Sequence, residues 1–394
     1  MSAPVCPACG SVDLHVFHEV AGVPVNSCLL VDDRDTALAF PRGDLRLAWC
    51  GGCGFVTNLA FDPSRATYSQ DYEETQGFSA HFRAFISDLA YRWVRAHGLQ
   101  GKDVVEIGCG KGEFLWEMAR AGIGHGVGVD PGVKPERVPD DVSDGLSWVQ
   151  GFFPADHPEL HADAVVCRHT LEHIGPVEEF MRTVRAAIGD RTDTAVLFEL
   201  PGTMHVLDDV WFWDTYYEHC SYFTAGSLAR LFRRTGFEVL DVRSAYDDQY
   251  LLLEARPVDG PGQGAPLPLE ESPAEVGAAA ARFAEGYRST VERWRGRLRE
   301  VAAAGGRTVV WGSGSKGVAF LAALGEDAGL VECAVDINPH KHGRFMAGTG
   351  HRIVAPKELL DVQPALVVAM NSTYLAEIGA DLTELGLDVA LEGL

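Results

Sequence analysis

A glycine-rich turn between a strand pattern and a helix pattern places the tightest constraint on how this chain can fold. A predicted strand over residues 103–107 includes Glu106 and leads directly into Gly108, Gly110 and Gly112. Glycine adopts backbone conformations that are closed to other residues, and it lets a ligand approach the main chain. The turn therefore predicts an α/β unit with a ligand site at the end of this strand.

From residue 102 to about residue 256, after one helical stretch, apolar strand patterns alternate with amphipathic helix patterns. Besides the strand before the turn, strands are predicted at residues 126–129, 164–167, 195–199 and 237–243. Helices are predicted at residues 79–97, 113–121, 177–188 and 225–235. This alternation indicates a parallel sheet with helices on both faces.

A chain of 394 residues is too long for one ordinary core, so several domains are expected. Residues 257–272 are rich in proline and glycine and have no period, which is typical of a linker. One long helix or two shorter ones follow, and then a second α/β unit with strands near residues 307–311, 331–336 and 365–370. We predict an N-terminal module, a central domain, a linker with a helix and a C-terminal domain, covering residues 1–65, 66–256, 257–304 and 305–394.

The acidic composition limits the partners that this chain can bind. Its 56 acidic and 33 basic residues give a formal net charge of −23, and such a surface repels nucleic acids. A small molecule is therefore the expected partner, with no nucleic acid and no membrane. No apolar run reaches the length of about 18 residues that indicates a transmembrane helix, and the N-terminus lacks the features of a secretory signal. A chain of this kind with nine cysteines is expected in a reducing, cytoplasmic environment.

Four of the cysteines form two Cys-x-x-Cys pairs. Cys6 and Cys9 make the first pair, Cys50 and Cys53 make the second, and a glycine follows each pair. Two such knuckles bring four thiolates together around a tetrahedral zinc ion. Because four thiolates leave no coordination position open, the zinc is predicted to be structural. Four unrelated thiols, or a redox role, are the alternatives.

Three features of the central domain favour S-adenosylmethionine (SAM) over a nicotinamide dinucleotide. Glu106 precedes the turn, where SAM enzymes usually carry an acidic residue. The turn has Gly-x-Gly-x-Gly spacing in place of the Gly-x-Gly-x-x-Gly of dinucleotide sites. The segment from Arg168 to Ile174 closely resembles the Leu-Glu-His segment of class I methyltransferases. An NAD-binding domain with a similar turn is the alternative.

The same resemblance implies which residues hold SAM. The predicted SAM-binding residues are Glu106, Gly108, Gly110, Gly112, Asp130, Phe152, Phe153 and Arg168. Asp130 follows the second strand, where an acidic side chain can accept hydrogen bonds from ribose hydroxyls. Phe152 and Phe153 belong to the segment expected beside the adenine. Glu172 and His173 are expected to orient the helix that follows rather than to take part in chemistry.

Residues 211–223 concentrate groups that transfer protons, including three tyrosines, a glutamate and a histidine. Carbon methylation next to a carbonyl needs a base that removes a proton and donors that hold the enolate. His219 has a suitable ordinary pKa, and a nearby glutamate such as Glu218 would orient the ring and raise that pKa. An aromatic loop that only packs two domains together is the alternative.

Taken in order along the chain, these features resemble one family over essentially the whole length. Four N-terminal thiolates, a SAM domain, a Tyr-x-Glu-His-x-x-Tyr-Phe segment and a Rossmann-like C-terminal domain are found in the zinc-containing C-methyltransferases of nucleotide-linked keto-deoxysugars in antibiotic sugar pathways. The resemblance implies an α/β class I methyltransferase Rossmann-like domain with an N-terminal zinc-binding module and a C-terminal second Rossmann-like domain. It also implies that His219 is the general base, with Glu218 and Tyr216 as its neighbours.

The resemblance adds residues expected to meet the substrate. A tyrosine-rich stretch follows the zinc module of the family, and it corresponds here to Tyr68 and Tyr72. We predict a catalytic role for Tyr72 and substrate binding by Tyr68 and Tyr222. Residues 73–81 differ from the serine-rich continuation of the family, at the place where a lid over the substrate is expected.

The C-terminal domain contains a second glycine turn, in which Gly312 and Gly314 begin a Gly-x-Gly-x-x-Gly pattern. By itself this pattern suggests NAD, but in the resembled family the domain holds the nucleotide sugar and no dinucleotide. The backbone amides of the turn, with Lys316, are predicted to bind a diphosphate at the start of a helix. Lys341 and Arg344 would add positive charge. A glycine turn that serves packing only is the alternative.

These observations predict a SAM-dependent C-methyltransferase that acts next to a carbonyl of a nucleotide-linked keto-deoxysugar or related small molecule, with structural zinc. Methylation of an oxygen or nitrogen on a sugar or natural-product scaffold is the alternative within the same enzyme class. An NAD-dependent oxidoreductase and a non-catalytic binding protein are the alternatives from other classes.

Overall fold

The computed structural model describes residues 4–66 and 70–394, so the predicted substrate residue Tyr68 lies outside the described residues. The N-terminal module is an antiparallel sheet with one short helix, made of β1 (Leu14–Pro24), α1 (Arg34–Leu38), β2 (Arg42–Cys50) and β3 (Val56–Asn58). Leu45 and Leu47 of β2 are buried, while Asp44 and Arg46 are exposed. This alternation is that of a sheet with one buried face.

The central domain contains a seven-stranded sheet between two layers of helices. Its strands are β4 (Asp103–Ile107), β5 (His125–Val129), β6 (Leu146–Val149), β7 (Ala164–Arg168), β8 (Ala195–Pro201), β9 (Ser221–Tyr222), β10 (Phe237–Ala245) and β11 (Tyr250–Pro257), of which β9 joins the N-terminal module. Its helices are α2 (Ala80–Ala96), α3 (Glu113–Arg120), α4 (Val177–Ile188), α5 (Met204–Asp208) and α6 (Ala225–Arg234). The strands and helices predicted for this domain are confirmed, with ends that differ by at most two residues.

The strand order of this sheet fixes where a ligand can bind. The order is β10-β11-β8-β7-β4-β5-β6, with β11 antiparallel to both of its neighbours and the remaining pairs parallel. The chain builds outward from β4 through β5 to β6 and then returns to β7, so the order reverses between β4 and β7. In open α/β sheets the crevice beyond the carboxyl ends of the strands at such a reversal is the usual ligand site. The first glycine turn follows β4 and lies at this crevice.

The sequence does not predict β6 or β11. The turn between β10 and β11 contains Tyr246, Asp247 and Asp248 in the left-handed region, with φ of +53°, +53° and +62°. Glycine, asparagine or aspartate normally marks a tight turn of this kind, and this one contains two aspartates and no glycine. The aspartates were therefore a turn signal, and the apolar run of β11 after them completes the pattern of a hairpin.

The C-terminal domain is a second parallel α/β sheet reached through one long helix. Its elements are α7 (Pro273–Ala303), β12 (Thr308–Trp311), α8 (Ser315–Leu324), β13 (Val331–Val335), β14 (Ile353–Val354), α9 (Leu359–Val362), β15 (Leu366–Ala369), α10 (Leu375–Glu384) and β16 (Ala390–Gly393). The strand order is β14-β13-β12-β15-β16, and every pair is parallel. The order reverses between β12 and β15, beside the second glycine turn.

Helix α7 joins the three domains. It is a single helix of 31 residues, and it begins at a capping box in which Ser272 and Glu275 each bond the backbone of the other. Phe283 of α7 is fully buried, in a core that also contains Leu47 of the N-terminal module and Phe320 of α8. Across the described residues, no helix is both long enough and apolar enough to cross a membrane.

The position of Phe283 predicts a large loss of stability when its ring is removed. We expect Phe283→Ala to lower the free energy of unfolding by about 3–5 kcal/mol, because a buried ring leaves a cavity that the core cannot fill. Tyr91→Ala, at a side chain of α2 that is 61% exposed, should change it by no more than about 0.5 kcal/mol. Urea denaturation measures the free energy of unfolding of both variants. An equal loss in Phe283→Ala and Tyr91→Ala would contradict a shared core around α7.

Candidate active site

A cavity of about 540 Å³ lies between the central and C-terminal domains. Residues that follow β4 and β7 form one side, and residues that follow β12 and β15 form the other. The predicted site residues in its wall are Tyr72, Glu106, Gly108, Gly110, Asp130, Phe152, Phe153, Arg168, Tyr216, His219, Tyr222, Gly312, Gly314, Lys316 and Lys341. The two glycine turns thus share one cavity with the aromatic segment around His219.

The first glycine turn can be made only by glycine. Gly108 and Gly112 have φ of +69° and +91°, in the region that side chains disfavour. A β-carbon at Gly108 would lie 1.9 Å from the Thr170 Oγ1, and one at Gly112 would lie 2.4 Å from the Trp148 ring. A side chain at either position would therefore clash with its neighbours, and Gly108 and Gly110 line the cavity with their backbone.

Two carboxyl groups beside the first glycine turn, those of Glu106 and Asp130, lie in the cavity wall. Glu106 is 2% exposed, and its Oε2 has no hydrogen-bond partner among the described residues. Burial raises the pKa of Glu106 to about 8. Asp130 accepts hydrogen bonds from the backbone N–H of Gly110 at 3.0 Å and of Gly132 at 2.6 Å. A buried oxygen without a partner next to a glycine turn fits a ligand that supplies hydrogen-bond donors, as the ammonium and ribose groups of SAM do.

The other three predicted SAM residues differ in what they contact. Arg168 makes two hydrogen bonds to Glu199, at 2.8 and 2.9 Å, and its guanidinium lies 4.1 Å from the centroid of the Phe114 ring. The charge of Arg168 is therefore already paired. Phe153 packs edge-on against Phe180, whereas Phe152 is 54% exposed at the cavity wall. Phe152 is thus free to cover a flat ring.

His219 lies in the cavity wall among aromatic and charged groups. Its ring centroid is 4.2 Å from that of Tyr216 and 4.8 Å from that of His173. A carboxylate oxygen of Glu172 and one ring nitrogen from each of His173 and His219 lie within 4.8 Å of one another. Burial, with the nearby His173 and His169, holds the pKa of His219 well below its ordinary value. The ring is therefore neutral near pH 7, and one of its two nitrogens carries a lone pair.

The carboxylate next to His219 is not the predicted one. Glu218 turns toward the N-terminal module, where it accepts hydrogen bonds from Asn26 Nδ2 at 3.1 Å, from the Ser27 N–H at 3.0 Å and from the Ser27 hydroxyl. The expectation that Glu218 raises the pKa of His219 is wrong, because Glu218 points away and burial lowers that pKa. The group that replaces it is Glu172. The Leu-Glu-His segment marks this residue in the sequence, but only a role in orienting the following helix was expected for it.

The segment after the N-terminal module closes one side of the cavity. The backbone carbonyl of Tyr72 accepts a hydrogen bond from Lys111 Nζ at 2.8 Å. The next residue, Glu73, makes two hydrogen bonds to Arg137, at 3.0 and 3.1 Å, and one to Asn338 of the C-terminal domain at 3.2 Å. The segment that differs from the resembled family therefore bridges the central and C-terminal domains.

The lysines of the C-terminal side are paired with aspartates. Lys316 Nζ lies 2.9 Å from Asp214, and Lys341 Nζ lies 3.4 Å from Asp336. Arg344 forms an ion pair with Asp32 of the N-terminal module and is not in the cavity wall. The prediction that Arg344 supplies charge at the substrate site is therefore wrong for this arrangement, because its guanidinium is held elsewhere.

The four N-terminal cysteines converge on one point. The Sγ atoms of Cys6 and Cys53 are 3.7 Å apart and those of Cys9 and Cys50 are 3.6 Å apart, and all four lie within 4.8 Å of one another. Zinc–sulfur bonds of about 2.3 Å give a tetrahedron with edges of about 3.8 Å. The spacing therefore fits four thiolates around one zinc ion.

Comparison with known proteins agrees with this architecture. Residues 78–242 match the methyltransferase domain family, and residues 271–387 match the C-methyltransferase C-terminal domain family. The C-methyltransferase NovU of Streptomyces niveus is 28% identical over 392 residues, which cover 95% of this chain and 90% of NovU. A tRNA U34 carboxymethyltransferase of Ectopseudomonas mendocina (strain ymp) is 44% identical over 141 residues, which cover 29% of this chain and 44% of that protein.

A solved structure with a similar region is the N,N-8-amino-8-demethyl-D-riboflavin dimethyltransferase RosA from Streptomyces davawensis. It has a TM-score of 0.38 and 21% identity, and the similarity covers 45% of this chain and 55% of RosA. The two domain matches and the nearly full-length relative are the findings that carry the assignment. This chain is a SAM-dependent methyltransferase, similar over almost its whole length to a C-methyltransferase.

Proposed function

We propose that this enzyme transfers the methyl group of SAM to a carbon next to a carbonyl, and that His219 removes the proton from that carbon. The observation that carries the proposal is the place of the buried His219 ring, which lies in the wall of the same cavity as the first glycine turn, beside Tyr216 and Glu172. The proposed acceptor is a nucleotide-linked keto-deoxysugar or a related small molecule.

The chemistry requires a base because SAM supplies an electrophilic methyl group and an ordinary C–H bond is not a nucleophile. A neighbouring carbonyl makes the C–H acidic, and a base within hydrogen-bonding reach then forms an enolate. His219 accepts the proton, and Glu172 lies close enough to stabilise the resulting imidazolium. Burial raises the pKa of Tyr216 well above its usual range. The Tyr216 hydroxyl therefore stays protonated, and with Tyr72 it is our proposed donor to the enolate oxygen.

SAM is proposed to lie against the first glycine turn. Glu106, through its unpartnered oxygen, would accept a hydrogen bond from the ammonium group of SAM. Asp130 would accept hydrogen bonds from the ribose hydroxyls. Phe152 and Phe153 would cover the adenine. Arg168 is assigned a supporting role, since its pair with Glu199 holds the ends of β7 and β8 together.

The acceptor is proposed to lie between His219 and the second glycine turn. Gly312 has a φ of +116°, and Gly314 caps the ten-residue helix α8, so backbone amides are presented at a helix start. Lys316 and Lys341 would bind the diphosphate, which would replace part of their contacts with Asp214 and Asp336. The similarity to NovU and to a C-methyltransferase C-terminal domain supports this placement of the acceptor.

Zinc is proposed as a structural ion held by Cys6, Cys9, Cys50 and Cys53. The two knuckles close alike, because the Gly10 N–H donates to the Cys6 carbonyl and the Gly54 N–H donates to the Cys50 carbonyl, both at 2.8 Å. Four thiolates leave no position for substrate. The ion would therefore stabilise the module and take no part in methyl transfer.

Substitution of the base tests the carbon mechanism. His219→Asn should lower turnover by about 10²- to 10⁴-fold and leave SAM affinity unchanged. It should also abolish exchange of the proton next to the carbonyl when nucleotide-linked keto-deoxysugars are incubated in deuterated water. His205→Asn, at another histidine of the cavity wall, should retain that exchange. Exchange that persists in His219→Asn, or a methyl group found on oxygen or nitrogen, would contradict the mechanism.

The pKa of Glu106 predicts how SAM binding depends on pH. The carboxyl is largely protonated below pH 8 in the free enzyme, while an ammonium group binds only its ionised form. SAM affinity should therefore rise between about pH 6 and pH 7.5, with proton release on binding. Titration calorimetry should show a flatter profile for Glu106→Gln and an unchanged one for Glu285→Gln, an exposed control on α7. A flat profile in the unaltered enzyme would argue against this role.

Metal analysis tests the four-cysteine site. The purified chain should contain one equivalent of zinc, and Cys50→Ser should lose most of it because three thiolates hold the ion less tightly. Cys333→Ser, at a buried cysteine of the C-terminal domain, should retain it. Zinc far below one equivalent in the unaltered chain, or full zinc in Cys50→Ser, would overturn the assignment.

A further inference from the structure

Three potential metal ligands meet in the cavity wall, away from the four cysteines. Glu172 and His173 follow β7, and His219 comes from the segment before β9. One ligand atom from each lies within 4.8 Å of the other two. Two imidazoles and a carboxylate form a ligand set that suits zinc and other divalent transition metals.

The orientation of His173 suits metal binding. Its Nδ1 lies 3.1 Å from the backbone carbonyl of Glu218. A carbonyl only accepts hydrogen bonds, so this contact places the proton on Nδ1 and leaves the lone pair on Nε2. Histidines that bind metals commonly donate their other N–H in this way, which fixes the ring and its tautomer.

Glu172 has a buried carboxylate oxygen that makes no hydrogen bond among the described residues. Its side chain is buried, one oxygen lies 3.6 Å from His169 Nδ1, and Oε2 has no hydrogen-bond partner among the described residues. A buried carboxylate oxygen without a partner is costly unless a cation or a donor reaches it. A metal ion shared with the two histidines would supply that charge.

We propose that Glu172, His173 and His219 bind a divalent transition-metal ion, and that this ion blocks the base. Bonds of about 2.0–2.2 Å place ligand atoms roughly 3.4 Å apart in a tetrahedron. The three ligand atoms are at most 4.8 Å apart, so small movements of the side chains bring them to this spacing. The remaining coordination position faces the cavity, where it takes a water molecule or a carbonyl oxygen of the acceptor.

The consequence for activity rests on the proposed function. The ring nitrogen of His219 that takes the proton has one lone pair, so a bound ion prevents proton removal. Transition metals should therefore inhibit turnover in competition with the acceptor, and a chelator should restore it. SAM affinity should not change, because none of the three ligands is assigned to SAM.

Cobalt titration of the chain that carries one equivalent of zinc, at the four cysteines only, tests the site without SAM or acceptor. We expect one further equivalent of Co²⁺ to bind, with weak visible bands and without the strong near-ultraviolet absorption of cobalt–thiolate bonds. Glu172→Gln and His173→Asn should each lower the Co²⁺ affinity by about tenfold or more. His205→Asn, at a cavity histidine outside the cluster, should bind as the unaltered chain does. Unchanged SAM affinity verifies that each variant is folded.

The outcomes separate this inference from the proposed function. Absence of a further equivalent, unchanged affinity in both ligand variants, or thiolate absorption from the added cobalt would each overturn the metal site. Binding that is lost in the variants while His219→Asn keeps full turnover supports the site and defeats the base assignment. Binding without inhibition of turnover would overturn the claim that the ion blocks the base.

Discussion

The burial of α7 in a core shared by three domains is the contact on which the rest of the structure depends. Its apolar face joins Leu47 of the N-terminal module to Phe212 of the central domain and Phe320 of α8. This core holds the C-terminal sheet against the part of the central domain that contains α5 and Phe212, and both strand-order reversals open into one cavity. The glycine turn at the reversal of the central sheet provides a site for the methyl donor only. The C-terminal domain forms the other wall of the cavity, in which a methyl acceptor can lie next to the donor.

The N-terminal module fixes the segment that carries His219. β9 begins two residues after His219 and pairs with β3, where Tyr222 lies opposite Val56. Glu218, on the other side of the histidine, accepts hydrogen bonds from Asn26 and Ser27 of the same module. Strand pairing and buried hydrogen bonds therefore position a residue of the cavity from outside the central domain. In this arrangement a structural zinc ion would influence catalysis through the module and not through contact with substrate.

The partners of the charged side chains in the cavity were the feature that the sequence predicted least well. Glu218 adjoins His219 in the chain yet points to Ser27, whereas Glu172 reaches the histidine from 47 residues away in sequence. Lys316, predicted to bind a diphosphate, pairs with Asp214. Side chains of neighbouring residues point in different directions in irregular backbone, so adjacency in sequence says little about electrostatic partners.

The sequence by itself determined the local elements: the strands and helices around each glycine turn, the sites of the two turns and the grouping of the cysteines into pairs. These follow from hydrophobic period, from the backbone freedom of glycine and from ligand spacing, all of which act over a few residues. Only the tertiary structure decided that β9 pairs with β3 of the N-terminal module, that β11 lies between β10 and β8, and that Glu172 faces His219. Each depends on contacts between residues far apart in the chain, and the burial of the shared core selects those contacts.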